Sequence, residues 1–394
     1  MADEQTLQDE PLAVPVLCKG GIQRDGTTFD ADGCIDGEWV RWVGDRARKI
    51  PGYRRINRYL FGPVRAMSEF TKDSATYLHF GSASRIQRLQ MDTSLNTSVI
   101  TDRTPTSGFT ADDNNIWQFA VDHSTAGVPQ LIAQVAHNLD CMCSSAGGAL
   151  YSGDLFGTGV LTQITTLPAA YSLTGGVMAL HPYTVVYGSN GFVMWSTPGD
   201  PTDYTTSGAG YAYPTRQKIL KGMPLRSGAS NSPAALLWST DSLLMMTFTG
   251  GTGVFSFSTL STSISVWAPN TIVEMDGTYY WVGAERFMSF NGIVRELPNT
   301  VNADFFFEGA NSAQRQKTYA FTVPRFGEIW WCYARGTSEE PNHAIVLSTR
   351  TGAWYDTPLP EGGRTAAINL SVLRRPLLVG AEAQNAILDS VAVS

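Results

Sequence analysis

A repeated pair of apolar runs is the feature of this sequence that most constrains its fold. Seven times, a strand-like apolar run meets a short turn of small or polar residues and then a second apolar run. A period long enough for one four-stranded blade per repeat is typical of a β-propeller. We therefore predict an all-β fold, a single β-propeller of six or seven blades. The repeats start at Tyr77, Leu131, Tyr183, Leu243, Tyr279, Ile329 and Leu377, in steps of 54, 52, 60, 36, 50 and 48 residues, a mean of 50.

Turn residues inside the repeats support hairpins. Ser189-Asn190-Gly191, Gly250-Gly251, Asp276-Gly277 and Asn291-Gly292 supply the positive-φ positions that tight reversals need. The first and last repeats are weaker than the middle ones, as expected if the ring closes by borrowing a strand from the opposite end of the chain. The best candidate for a helix is the stretch from Asn302 to Lys317.

The chain divides into an N-terminal arm and a propeller. Residues 1–20 are polar and contain Pro11 and Pro15, which oppose a helix, so we expect an extended arm. Residues 21–394 are expected to form the propeller, with strand closure from the N-terminal region. No apolar stretch approaches the roughly 18 residues of a membrane span, and the acidic start is unlike a secretory leader. We therefore expect an unprocessed chain without a membrane span, synthesised in a reducing cytoplasm.

The sequence carries no recognisable catalytic or metal-binding motif. Its five cysteines contain no Cys-x-x-Cys pair, and its five histidines are not spaced as metal ligands. Neither a nucleophile elbow nor a phosphate-binding loop is present. The carboxylate pairs Asp112-Asp113 and Glu339-Glu340 could serve acid–base chemistry only if the fold brought them together. We expect no catalytic residue, no metal and no cofactor, and we interpret the chain as a non-enzyme.

Charge is unevenly distributed along the chain. The net charge is -7, which argues against a protein whose task is to grip nucleic acid. The segment from Arg41 to Arg58, here called the basic segment, departs from this average and has a single acidic residue, Asp45. Its charges either keep a strand edge solvated or form a contact surface for an acidic partner subunit or for DNA phosphate. These subunit-interface candidates are Arg41, Arg46, Arg48, Lys49, Arg54, Arg55 and Arg58.

Four parts of the sequence share a further pattern, in which an aromatic strand and a basic step precede the blade-like repeats. They are residues 37–42 with 47–56, residues 186–204, residues 280–292, and residues 328–333 with Trp354. With these segments, residues 20–394 resemble the tail-hub, nozzle or packaged-DNA stabilisation proteins of short-tailed bacteriophages.

This resemblance implies a structural virion protein in the phage tail, below the portal and adaptor rings. It implies self-association into a ring, expected to be a hexamer, whose lumen retains packaged DNA and conducts it during ejection without sequence-specific contact. Portal and adaptor proteins and a tail fibre or spike would be its further partners. The basic segment would then dock on a neighbouring subunit or on the ring above.

Two other classes of propeller compete with this interpretation. A glycan-binding or glycan-cleaving propeller would use exposed aromatic side chains such as Tyr211, Tyr213 or Trp267 as sugar platforms, although such residues more often pack between blades. A WD or kelch interaction propeller is disfavoured because neither repeat signature recurs in register.

Overall fold

The computed structural model describes residues 19–391 of the chain, apart from residues 30, 32, 45, 95, 107–108, 110, 124–126, 138–147, 168–172, 226–232, 252, 361, 371–374 and 381–385. Short strands dominate this part of the chain. In chain order they are β1 (Lys19–Ile22), β2 (Gly33–Cys34), β3 (Val40–Val43), β4 (Arg46–Lys49), β5 (Tyr53–Leu60), β6 (Val64–Lys72), β7 (Ala75–Ser82), β8 (Ile86–Asp92), β9 (Thr101–Asp102), β10 (Ile116–His123), β11 (Pro129–Ala136), β12 (Leu150–Asp154), β13 (Thr162–Gln163), β14 (Gly176–Leu180), β15 (Tyr183–Tyr187), β16 (Val193–Trp195), β17 (Gly210–Ala212), β18 (Ile219–Pro224), β19 (Ala234–Ser239), β20 (Leu243–Phe248), β21 (Phe255–Ser261), β22 (Val273–Met275), β23 (Thr278–Val282), β24 (Phe287–Phe290), β25 (Val294–Leu297), β26 (Tyr319–Val323), β27 (Glu328–Tyr333), β28 (His343–Ser348), β29 (Trp354–Pro358), β30 (Arg364–Leu370), β31 (Arg375–Gly380) and β32 (Ala386–Val391).

Within the described residues, these strands form seven four-stranded antiparallel sheets, the blades of a β-propeller. Blade 1 is β6–β9, blade 2 β10–β13, blade 3 β14–β17, blade 4 β18–β21, blade 5 β22–β25, blade 6 β26–β29, and blade 7 combines β30–β32 with β5. The first strands lie beside one another around a central axis, and β30 meets β6 where the ring closes. The predicted all-β propeller is confirmed. Of the six or seven blades expected, the described structure has seven.

Apolar clusters hold the ring together, one at each junction between neighbouring blades in the described structure. Strand alternation explains how one blade serves two junctions. On β27, Trp331 and Tyr333 pack toward blade 5, whereas Trp330 and Cys332 pack toward blade 7. The sequence therefore needs near-continuous apolar strands, because both faces of each sheet are buried.

The closing strand comes from the N-terminal region. β5 pairs antiparallel with β32, from Tyr53 opposite Val391 to Leu60 opposite Ala386. Ile56 and Leu60 are buried in the cluster shared by blades 7 and 1, where they meet Phe80 of β7. β5, which directly precedes blade 1 in the sequence, therefore supplies the fourth strand of blade 7. This pairing joins the two ends of the chain in one sheet and closes the ring.

Residues 19–50 add a separate layer on blade 6. β1 and β2 form a parallel pair, and β3 and β4 form an antiparallel hairpin. β1 lies beside β29, the fourth strand of blade 6, and a Cβ at Gly21 would come within 2.7 Å of the Trp354 carbonyl oxygen. Ile22 and Trp42 are buried with apolar residues of blade 6. This segment is thus docked on the propeller and forms no blade of its own.

The repeats correspond to hairpins, with one offset. In six repeats the first predicted run is the second strand of a blade. The run at Leu243 is instead the third strand of blade 4, whose second strand, β19, begins at Ala234. The glycine-rich turn after Phe248 is a stronger sequence signal than Asp241-Ser242, which explains the uneven steps of 60 and 36 residues. The predicted partner of the Leu131 run, Cys141 to Cys143, lies outside the described residues.

Turns and helices follow the local chemistry. Asn190, Gly191, Gly250, Asp276, Gly277 and Gly292 all have positive φ, as their turn roles required. The candidate helix is present as α1 (Ala303–Gly309) followed by a 3-10 segment (Ser312–Lys317); shorter 3-10 turns span Ser189–Gly191 and Pro269–Thr271. None of these helices is long and apolar enough to cross a bilayer in the described part of the chain.

Candidate functional site

The basic segment begins with a buried ion pair. Arg41 on β3 is 3% exposed, and its Nε lies 3.1 Å from Oε1 of Glu328, which is fully buried on β27. Arg41 Nη2 donates to Glu328 Oε2 at 3.2 Å, and Trp330 Nε1 donates to the same oxygen at 2.9 Å. The guanidinium also lies 3.8 Å from the centre of the Phe326 ring. Arg41 therefore anchors β3 to blade 6 and is withdrawn from the surface on which we expected a partner to dock.

A second ion pair holds the chain before this hairpin. Arg24 donates through Nε and Nη2 to both carboxylate oxygens of Asp356, at 2.9 and 3.1 Å, and through Nη1 to Asp36 at 2.6 Å. His343 Nε2 lies 3.1 Å from Asp356 Oδ2. Burial raises the pKa of Asp356, but the bonds from His343 and Arg24 outweigh this and leave it lowered. The N-terminal layer is thus fixed electrostatically to the outer strand of blade 6.

Asp25 continues this attachment. Its two carboxylate oxygens accept from the backbone N–H groups of Asp304 and Phe305, at 2.9 and 2.8 Å. These N–H groups belong to the first turn of α1, where the N-cap residue Asn302 makes no side-chain cap. A carboxylate at this position also complements the helix dipole. A residue from the start of the chain therefore caps a helix between blades 5 and 6.

The remaining interface candidates divide by exposure. Arg46, Arg48 and Lys49 are all exposed on β4, where Arg48 lies opposite Arg41 in the register of the hairpin. Arg54 is exposed on β5, at the outer edge of blade 7. Arg55 and Arg58 also lie on β5, but their side chains are outside the described part of the structure. The hairpin of β3 and β4, here called the basic hairpin, therefore presents three neighbouring cations on an anchored support.

Four charged side chains form a network beside the propeller axis. Arg65, at the start of β6, donates to both oxygens of Glu340 at 2.6 Å each, and its Nη2 also donates to Asp113 Oδ1 at 3.0 Å. Lys317 Nζ lies 3.4 Å from Glu340 and 3.7 Å from Asp113. Asp113 and Glu340 both accept hydrogen bonds from Nη2 of Arg65. The fold therefore brings together one carboxylate from each of the two pairs, Asp112-Asp113 and Glu339-Glu340, that the sequence places in separate loops. Two cations and two anions leave this network electrically balanced.

The geometry of this network disfavours acid–base catalysis by its aspartate. Burial raises the pKa of Asp113, but attraction to Arg65 and hydrogen bonds from it outweigh this and leave the pKa lowered. A glycosidase acid instead needs a raised pKa to hold its proton. Among the described residues, no group of three or more His, Cys, Asp or Glu side chains is arranged to hold a metal ion.

A cavity of about 180 Å³ lies next to the network, on the axis. Its walls come from the first strands of blades 1, 2, 4, 6 and 7 and from the turn before blade 5. Lys221 of β18 donates from Nζ to Gln118 Oε1 at 2.8 Å, and Gln118 Nε2 donates to Asn270 Oδ1 at 3.2 Å. Burial lowers the pKa of Lys221 to about 8. The signal in the sequence was a single lysine within the apolar strand Ile219–Pro224.

The proposed sugar-platform aromatics differ in accessibility. Tyr211 and Tyr213 are 54% and 53% exposed at blade 3, with ring centres 6.1 Å apart in an edge-on arrangement. Trp267 instead packs against Phe306 and Phe307, and its Nε1 donates to Thr318. Trp267 is therefore a packing residue, whereas the two tyrosines are open to solvent.

Two cysteines, Cys34 and Cys332, lie in the described part of the chain. Cys332 is fully buried on β27, where burial raises the pKa of its thiol to about 12, and Cys34 is partly exposed on β2. Cys18, Cys141 and Cys143 lie outside the described residues.

Comparison with known proteins gives similarity of fold. No protein-family profile and no curated protein matches this sequence. An ancestral GH74 enzyme is similar in structure, with a TM-score of 0.51 and 12% identity over 91% of this chain; the match spans 51% of that enzyme. The WD40 β-propeller domain of Doa1 gives a TM-score of 0.49 at 11% identity, over 86% of this chain and 97% of that domain. At these identities the likeness to the GH74 enzyme shows the fold alone.

Proposed function

We propose that this chain is a structural subunit of a short-tailed bacteriophage tail, a hub or nozzle protein that sits below the portal and adaptor rings and assembles into a ring. The ring would retain packaged DNA and conduct it during ejection. The support is the resemblance of the blade and N-terminal segments together with the anchored basic hairpin. Its location would be the tail of the virion.

The basic hairpin is the observation that carries this proposal. Arg46, Arg48 and Lys49 are exposed together on a molecule whose net charge is -7. A subunit with one basic edge and a largely acidic remainder is complementary to a second copy of itself in a head-to-tail arrangement. Such heterologous contacts close into rings when the rotation permits. The buried Arg41–Glu328 pair keeps this edge in one orientation, so a partner needs to order little on binding.

The central cavity bears on where DNA would pass. At about 180 Å³ it is far too small for duplex DNA. In the proposed assembly the conduit therefore lies between subunits. An acidic subunit is suited to that role, because a channel should not hold its DNA through many phosphate contacts.

The test is incorporation into phage particles after charge reversal. The variant Arg46→Glu, Arg48→Glu, Lys49→Glu should be lost from particles while its circular dichroism and melting temperature stay close to wild type. The matched control is Lys72→Glu, Arg216→Glu, Arg295→Glu, which changes net charge equally at three dispersed exposed sites and should be incorporated normally. Normal incorporation of the hairpin variant, or equal loss of the control, would contradict the proposal.

A glycan-binding propeller is the second candidate, favoured by the exposed pair of Tyr211 and Tyr213. Aromatic faces bind sugars by stacking, and two neighbouring rings are a minimal platform. The shared fold with a GH74 enzyme is compatible with this class, including glycan cleavage. Oligosaccharide binding by a monomer that is abolished by Tyr211→Ala and Tyr213→Ala would favour it over the tail role.

A further inference from the structure

The axial cavity contains a lysine that has no carboxylate counterpart among the residues lining it. Lys221 reaches Gln118 Oε1, a neutral acceptor, at 2.8 Å. An ammonium carries three hydrogens, so this bond leaves two of them for other acceptors. The other charged residue of the cavity wall is Arg65, which already bonds both Glu340 and Asp113. The wall of the cavity therefore carries a net positive charge.

Lys221 is half-buried, and partial withdrawal of an ammonium from water without an opposite charge beside it is unfavourable. The lowered pKa of Lys221 is the expected result of this desolvation. The polar chain continues from Lys221 through Gln118 to Asn270, whose amides can donate further hydrogen bonds. Such a set of donors around one cation is suited to an acceptor with several oxygens.

We propose that this cavity binds a small oxyanion, such as inorganic phosphate, sulfate or a short carboxylate, against Lys221. The volume of about 180 Å³ corresponds to roughly six water molecules, at about 30 Å³ each, and is below the usual range for larger ligands. Met67 and Phe119 line the same space and are half-buried, so solvent reaches it. The inference is independent of the proposed tail role.

Calorimetric titration of the full-length protein tests this directly. Phosphate, sulfate and acetate, titrated separately, should show one site for at least one of them, and their order of affinity identifies the preferred oxyanion. Lys221→Met, which removes the charge and keeps the chain length, should weaken binding at least about tenfold. Lys72→Met removes the same charge from the exposed end of β6 and should leave binding unchanged. Absence of binding at about 10 mM of all three anions, or wild-type affinity in Lys221→Met, would overturn the proposal.

The pH dependence of wild-type binding gives a measurement that needs no variant. The groups facing Lys221 across the cavity are Arg65, Tyr319, Gln118 and Asn270. Arg65 stays charged and the pKa of Tyr319 is raised well above its usual value, so neither titrates between pH 7 and 9.5. Sulfate keeps its charge over this range, whereas Lys221 loses its proton. Sulfate affinity should fall by more than about tenfold; an affinity independent of pH would refute the role of Lys221.

Discussion

Replacing Arg41 by Met separates anchoring from docking within the basic segment. Arg41 is 3% exposed and forms a two-point contact with the fully buried Glu328, while Arg48, its register partner on β4, is exposed. Sequence alone gives these two arginines the same surface role. The structure instead assigns the first to stability and leaves only the second for a partner.

The expected cost follows from the burial of Glu328. Without Arg41, its carboxylate keeps the bond from Trp330 Nε1 but loses its only ion-pair partner in the described structure. Breaking a buried pair by removing one member costs about 3–5 kcal/mol, because an uncompensated charge stays inside the protein. An exposed arginine contributes about 0–1 kcal/mol. Arg41→Met should therefore destabilise the fold several times more than Arg48→Met.

Urea unfolding under conditions where refolding is reversible measures this difference. The double variant Arg41→Met, Glu328→Gln should cost less than the sum of the two single variants, because the stranded charge is removed. A cost below about 1 kcal/mol for Arg41→Met would refute the reasoning, since that value is typical of an exposed pair. Additive single and double variants would also show that the two side chains are not coupled.

Three further predictions concern the ring itself. Burial and the nearby Arg103 and Arg88 lower the pKa of His79 to about 3, so the folded state resists protonation. The free energy of unfolding should be highest above about pH 6.5 and fall by about 2 kcal/mol by pH 5, because the unfolded chain takes up the proton. A His79→Gln variant whose unfolding free energy falls with pH as steeply as that of wild type would contradict this. Gly81→Ala would place a Cβ 2.8 Å from the Cβ of Trp117 in blade 2 and should cost about 1–3 kcal/mol in unfolding free energy, whereas Gly52→Ala, which meets no atom within 4 Å, should be nearly neutral. Leu60→Ala on the closing strand, 1% exposed, should cost about 2–5 kcal/mol and lower the melting temperature; an unchanged melting temperature would show that β5 contributes little to closure.

The sequence identifies the hairpins well because their signals are local. The turn at Asp276-Gly277 and the apolar runs around it lie within a few residues of one another, and β23 and β24 follow directly. The same locality produced the offset in blade 4, where a glycine-rich turn outweighed the shorter Asp241-Ser242 connection. Local patterns therefore predict the hairpins of the blades. Where two turns compete, as in blade 4, the predicted hairpin is shifted by one strand.

The site residues could not be paired from the sequence, because ring closure sets their contacts. Arg65 meets Glu340 across 275 residues, and Arg41 meets Glu328 across 287. No periodicity links positions so far apart, and the acidic loop residues looked solvated. A partial signal existed for Arg41, since Val40 and Trp42 beside it are apolar. Lys221 carried a similar signal as a lone charge within an apolar strand.

The mass of the purified chain tests the proposed ring most directly. Native mass spectrometry, alone and with the portal–adaptor complex, should detect a closed assembly; six copies of the 42.8 kDa chain would give about 257 kDa. The variant with Arg46, Arg48 and Lys49 reversed should remain at the mass of one chain. A wild-type protein that stays at 42.8 kDa and does not bind the portal–adaptor complex would contradict the account.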